Sequence, residues 1–97
     1  MLDQVQVEEF EPLVGTILRL SSGSDHVDLE LTEARRLRSP SPRQSSPFAL
    51  VLRHNGAKQS FGQGMYRLHH PTLGEMDLFV VPIGPDANGM CYEVTFN

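Results

Sequence analysis

The sequence predicts an all-β, mainly antiparallel fold: a six-stranded small barrel or rolled sheet with a short N-terminal helix. Three features support this class. Short runs in which apolar and polar residues alternate are typical of strands with one buried face. Clusters of Gly, Pro, Asn and Asp separate these runs at hairpin spacing. Longer connections occur only at 38–47 and after residue 54, so neighbouring strands are expected to pair and to close on themselves.

Residues 2–14 place apolar side chains at helical spacing around Phe10, with glutamates between them. The acidic residues suit the first turn of a helix, and Pro12 limits its end. We expect a short helix here. Its anchor, Phe10, is expected to pack on the outer face of the strand at 75–83.

The first half of the chain then predicts three strands. Residues 16–20 are a short strand, and 27–31 alternate in the pattern of a half-exposed antiparallel strand that continues to Leu37. Residues 38–47 are rich in Pro and Ser, so we expect an exposed, mobile loop. A third strand follows at 48–53.

The second half predicts a loop at 57–64 and three further strands at 65–70, 75–83 and 90–97. The strand at 75–83 is apolar on both alternations, so it is expected to be central, with both faces covered. Pro82 has no N–H to donate, so pairing is expected to fail or bulge there. Because the sequence stops directly after the last strand, the end of that strand is expected to be available for pairing.

Length and composition predict one β-domain, residues 1–97, since so short a chain cannot divide its core and still offset the entropy of ordering its backbone. Side chains are expected to fill the interior, so a roomy cavity for a small-molecule ligand is not expected. The net charge of −4, with eight Lys and Arg, argues against a nucleic-acid partner. No run approaches the ~20 apolar residues needed to cross a bilayer. With one cysteine and no signal-like segment, the sequence predicts a cytoplasmic protein, with delivery inside a larger assembly as the alternative.

The positions of the histidine, cysteine and serine residues in the sequence predict no catalytic, metal or cofactor site. His69 and His70 are consecutive on a predicted strand, so they point to opposite faces and cannot share an ion. His70 precedes Pro71 and is expected in a turn, with the other histidines on the surface. Cys91 has no local histidine base, and no Gly-x-Ser-x-Gly elbow occurs. We therefore expect a protein that is not an enzyme.

Two groups of residues are candidates for a partner surface. Arg35, Arg36 and Arg38 lie beside the Pro/Ser loop and form a basic cluster for an anionic partner, or else edge charges that discourage aggregation between sheets. Tyr66 and Tyr92 are candidates for stacking a sugar or a peptide, although aromatic residues at alternating strand positions more often belong to the core.

Motifs spread over nearly the whole chain carry a resemblance to a known family. In order they are Phe10…Leu13-Val14-Gly15, Gln63-Gly64-x-Tyr66-Arg67-Leu68-x-His70-Pro71-x-Leu73-Gly74, Leu78-Phe79-Val80-Val81-Pro82-Ile83-Gly84-Pro85-Asp86, Gly89 and Tyr92-Glu93-Val94-x-Phe96-Asn97. The chain resembles a family of small bacterial proteins of unknown function. The resemblance implies a compact β-fold with no established activity, and a tendency to be encoded beside proteins similar to phage tail collar proteins. It carries over no catalytic residues.

The sequence therefore predicts a non-catalytic structural or protein-interaction domain, accessory to a multi-protein, phage-tail-collar-like assembly. The alternatives are a small-ligand or carbohydrate-binding β-barrel that uses Tyr66 and Tyr92, and, more remotely, a metal-dependent enzyme. A pocket lined by both tyrosines would favour the ligand function. A filled barrel with an apolar surface patch would favour a protein partner.

Overall fold

The computed structural model describes residues 4–37 and 47–96. Its six antiparallel strands form a closed barrel in the order β1-β2-β3-β6-β5-β4, which confirms the predicted fold class. The strands are β1 Ile17–Ser22, β2 Asp25–Arg36, β3 Phe48–Asn55, β4 Gly64–His70, β5 Gly74–Pro85 and β6 Gly89–Phe96. Apart from Pro47, the predicted Pro/Ser loop lies outside the described residues.

The alternation of the strands correctly predicts which side chains fill the barrel. In β6, for example, Met90, Tyr92, Val94 and Phe96 are all buried. The register shifts between Pro82 and Gly84, which confirms the irregularity predicted at this proline. At the end of β6, Phe96 pairs with Phe48 of β3, and the pairing of β6 with β5 extends only to Glu93. The pairing of a partner with this strand end stays a prediction. The buried core comprises Val7, Phe10, Leu18, Leu20, Leu29, Leu31, Phe48, Leu50, Leu52, Leu68, Leu78, Val80, Met90, Tyr92, Val94 and Phe96.

The N-terminal helix closes one end of the barrel. It consists of two 3₁₀ turns, Val7–Glu9 and Glu11–Leu13, and Phe10 lies between them with no exposed surface. The ring of Phe10 lies 6.0 Å from that of Phe48 and 5.8 Å from that of Phe96. The prediction that Phe10 covers the outer face of β5 is wrong. Full burial is available instead at the barrel end where β3 begins and β6 ends.

The loop between β3 and β4 closes the opposite end. In the barrel order, β3 and β4 lie on opposite sides, so residues 56–63 must cross the opening between them. The ring of Phe61, on this loop, stacks on Tyr92 at 4.1 Å and meets the edge of Tyr66 at 4.9 Å. Aromatic rings therefore cover both ends of the barrel, Phe10 at one end and Phe61 at the other.

The outer face of β5 is not covered. β5 is a central strand between β4 and β6, as predicted, and Leu78 and Val80 point into the core. Phe79 is 51% exposed and Ile83 is 52% exposed. The prediction that both faces of this strand are covered is wrong, because the segment assigned to its outer face packs into the barrel end.

We predict that Gly89→Ala destabilises the protein by about 1–3 kcal/mol, as overpacking does. Gly89 begins β6 and pairs with Asn55, and a Cβ on it would collide with the backbone carbonyl oxygen of His54 and lie 2.9 Å from the carbonyl carbon. Backbone atoms of a paired strand cannot move away cheaply. Chemical denaturation of both proteins measures the difference.

Gly64→Ala is the matched control, because Gly64 begins β4 just as Gly89 begins β6. The nearest atom to its added Cβ, on the ring of Tyr66, is 3.8 Å away, an ordinary contact. Its effect is expected to stay within about 1 kcal/mol in either direction. Equal effects of the two substitutions would contradict the prediction.

Candidate functional site

The basic cluster predicted from the sequence is neutralised within the chain. Arg35 Nη2 lies 3.0 Å from Glu93 Oε2, and Arg36 Nη2 lies 3.2 Å from Glu8 Oε2 and 3.4 Å from Glu11 Oε2. Arg38 lies outside the described residues. Because carboxylates already occupy both guanidinium groups, Arg35 and Arg36 do not offer uncompensated charge to an anionic partner.

The two predicted tyrosines are brought together, although not as an exposed surface. Tyr92 is fully buried, and its hydroxyl accepts a hydrogen bond from the N–H of Phe61 at 3.1 Å. Burial raises the pKa of Tyr92. Tyr66 is half-buried and donates its hydroxyl to the carbonyl of Gly62 at 3.1 Å. Tyr92 is therefore removed from the predicted partner surface, and Tyr66 remains at the barrel end.

Two clefts meet where β1 and β4 separate, and Ser22 and Tyr66 line both of them. The inner cleft, about 320 Å³, is otherwise lined by Leu20, Asp25, His26, Val27 and Phe61. The outer cleft, about 370 Å³, is otherwise lined by Ser21, Gly23, Met65, Arg67 and Asp77. Tyr92 lines neither cleft.

Ser21, His69 and Glu75 form a relay across the outer face of β1, β4 and β5. Ser21 Oγ lies 3.0 Å from His69 Nε2, and His69 Nδ1 lies 3.2 Å from Glu75 Oε2. This is the connectivity of a nucleophile, a base and an orienting carboxylate. However, Ser21 pairs with strands on both sides, with His26 and with Arg67. It is not on a turn that would direct N–H groups at an oxyanion, so we interpret the relay as a cross-strand polar contact.

Cys91 has the environment of an unreactive thiol. It is buried on β6, and burial, followed by hydrogen bonding to Asp86, raises its pKa. A raised pKa leaves little thiolate, which is the nucleophilic form. In the described part of the chain, no three His, Cys, Asp or Glu side chains come close enough together to hold a metal ion.

Three exposed apolar side chains and the half-buried Val81 lie on neighbouring strands and form an outer apolar strip, defined here as Met65, Phe79, Val81 and Ile83. Met65 is 59% exposed and pairs directly with Phe79 across β4 and β5. Val81 and Ile83 continue along β5. The sequence contains the signal for this strip, since 75–83 is apolar on both alternations, but the same pattern also predicts a second covered face. Apolar residues side by side on an outer sheet face are typical of interaction sites.

The family described as Domain of unknown function (DUF6916) matches residues 5–96. The chain belongs to this family. No curated protein and no solved structure matches the chain. Within residues 4–37 and 47–96, no helix has the length and apolar character needed to span a bilayer.

Proposed function

We propose that this member of the DUF6916 family is a non-catalytic protein-interaction domain, accessory to a multi-protein assembly, and that its partner binds the outer apolar strip. The observation that carries the proposal is the exposure of Met65, Phe79 and Ile83, each more than half exposed on adjoining strands. Burying such side chains against a partner gains about 25 cal/mol per Å² of apolar surface.

The surroundings of the strip support an apolar partner rather than a charged one. Arg67 beside it is paired with Asp77 at 3.0 Å, and Glu93, which pairs with Val81, binds Arg35. Since these charges compensate one another, the strip imposes little preference for the sign of the partner's charge. The context of a phage-tail-collar-like assembly comes from the family resemblance and is the assembly to test first.

The carbohydrate-binding alternative has less support. It depended on both tyrosines lining one pocket, whereas Tyr92 is buried beneath Phe61 and only Tyr66 reaches a cleft.

The test is a pull-down of the tagged protein after mild crosslinking in its native cells, with partners identified by mass spectrometry. Phe79→Ser is expected to reduce recovery of the partner at least tenfold. Ile17→Ser is the matched control, because Ile17 is 55% exposed and lies on β1, outside the strip. Recovery of a free monomer alone, or equal recovery with both variants, would count against the proposal.

A further inference from the structure

We propose that the gap between β1 and β4 binds an extended peptide segment of a partner protein. The segment adds to the free edge of β4 and places alternate side chains in the inner and outer clefts. The inference rests on the proposed interaction function, and it adds a second contact that shares only Met65 with the outer apolar strip.

The first observation is an incomplete ladder. β1 and β4 form three pairs, from Arg19↔His69 to Ser21↔Arg67. β4 continues beyond this point to Gly64, paired with β5 alone, while β1 turns away with β2 into a hairpin. Among the described residues, 64–66 therefore have a neighbouring strand on the β5 side and none on the β1 side. Unpaired N–H and C=O groups at a strand edge are the template to which an extended peptide adds.

A comparison with another incompletely paired edge favours this one. β5 pairs with β4 only as far as Val80↔Gly64, so residues 81–85 also lack a β4 neighbour. That edge contains Pro82 and Pro85, which have no N–H to donate and so hinder the addition of a strand. The edge at 64–66 contains no proline.

The second observation is that a cleft lies on each side of the β4 edge. Leu20 and Tyr66, which line the inner cleft, share the core-facing side of the sheet, because Tyr66 pairs with buried Leu78. Ser21 and Arg67, which line the outer cleft, pair with each other on the opposite face. Successive side chains of a strand point to opposite faces. A peptide on this edge would thus direct one side chain into the inner cleft and the next into the outer cleft.

The linings define the chemistry of the segment. Leu20, Val27 and Phe61 make the inner cleft suitable for an apolar or aromatic side chain. The outer cleft contains the Arg67–Asp77 ion pair, which suits a polar side chain able to hydrogen-bond either partner. The expected ligand is a peptide in which apolar and polar residues alternate. A saccharide would use the cleft walls but not the strand edge.

The test is a random decapeptide library displayed on phage and selected on the immobilised protein, followed by anisotropy measurements with the selected synthetic peptides. Ser22 lines both clefts and is exposed, so Ser22→Trp is expected to block the site and to weaken binding at least tenfold. Ser24→Trp is the matched control, because Ser24 is exposed in the turn that directly follows Ser22 and lines neither cleft. It is expected to leave affinity within twofold. Bound peptide is also expected to shift the NMR amide signals of residues 64–66 and to slow their exchange.

Three results would overturn the inference: no enriched peptide, equal affinity for both tryptophan variants, or signal shifts confined to Phe79, Val81 and Ile83 of the outer apolar strip. Titration with maltohexaose tests whether a saccharide binds instead. If the NMR amide signals of Phe61 and Tyr66 shifted with the sugar but not with any peptide, the peptide inference would also be overturned. Phe79→Ser is not expected to change peptide affinity. If the peptide result fails while partner recovery still depends on Phe79, the interaction function survives and this site does not.

Discussion

Phe10→Ala is expected to lower the free energy of unfolding by about 3–5 kcal/mol, the range found for truncating buried aromatic side chains. Phe10 has no exposed surface, and its ring contacts those of Phe48, His70 and Phe96. The methyl group of alanine cannot fill the end of the barrel. The surrounding strands are held by their ladders, so they cannot collapse into the space, and the cavity cost adds to the lost burial.

Urea denaturation followed by far-UV circular dichroism measures this change. Phe79→Ala is the matched control, because it removes the same ring from a position that is 51% exposed. The control is expected to change stability by less than about 1 kcal/mol. If Phe10→Ala were no more harmful than Phe79→Ala, the N-terminal turns would not be an integral part of the core.

The strands could be predicted because alternation couples sequence directly to burial. Leu18 and Leu20 of β1, like Tyr92 and Val94 of β6, are buried as their spacing of two residues requires. Local sequence also predicts the irregular strand pairing at Pro82, because proline has no backbone N–H to donate. These features depend on neighbours in the chain, so no tertiary information is needed to find them.

The closures of the barrel could not be predicted in this way. Helical spacing identifies Phe10 as an anchor without indicating which surface receives it. Phe61 lies in a loop with no periodicity, and its burial follows only from the positions of β3 and β4 on opposite sides of the barrel. The exposure of the outer apolar strip cannot be predicted from the sequence for a related reason. When a strand is apolar on both alternations, its second face is either covered within the chain or exposed for binding to a partner protein. The sequence pattern is the same in both cases.

The pairing of the basic cluster also depends on tertiary structure. Arg35 and Glu93 are 58 residues apart in sequence and meet because β2 and β6 both flank β3. Likewise, Arg36 reaches Glu8 only once the N-terminal turns close the barrel end. A cluster of like charges in a sequence therefore does not establish a free basic surface.

His70→Ala is the second substitution expected to have a large effect, about 2–4 kcal/mol, since the loss of a buried acceptor leaves donors unsatisfied at about 1–3 kcal/mol each. His70 is buried, with its Nδ1 accepting the N–H of Thr72 at 3.1 Å and that of Leu73 at 3.0 Å. Nδ1 therefore carries no proton, and Nε2–H donates to the carbonyl of Glu9 at 2.7 Å. The side chain thus connects the β4–β5 turn to the N-terminal turns by hydrogen bonds. The sequence predicts His70 only as a turn residue.

Two further variants separate these contacts. In His70→Asn the amide oxygen lies near the position of Nδ1 and can accept from the turn, whereas in His70→Gln the amide N–H₂ lies near Nε2 and can reach Glu9. We expect Asn to recover more stability than Gln, because Nδ1 accepts from two backbone donors. His69→Ala is the matched control: the adjacent imidazole lies in the half-exposed relay with Ser21 and Glu75, and its loss is expected to cost less than about 1 kcal/mol. Thermal denaturation measures these effects. Equal decreases in Tm for His69→Ala and His70→Ala would mean that the hydrogen bonds of His70 do not stabilise the barrel end.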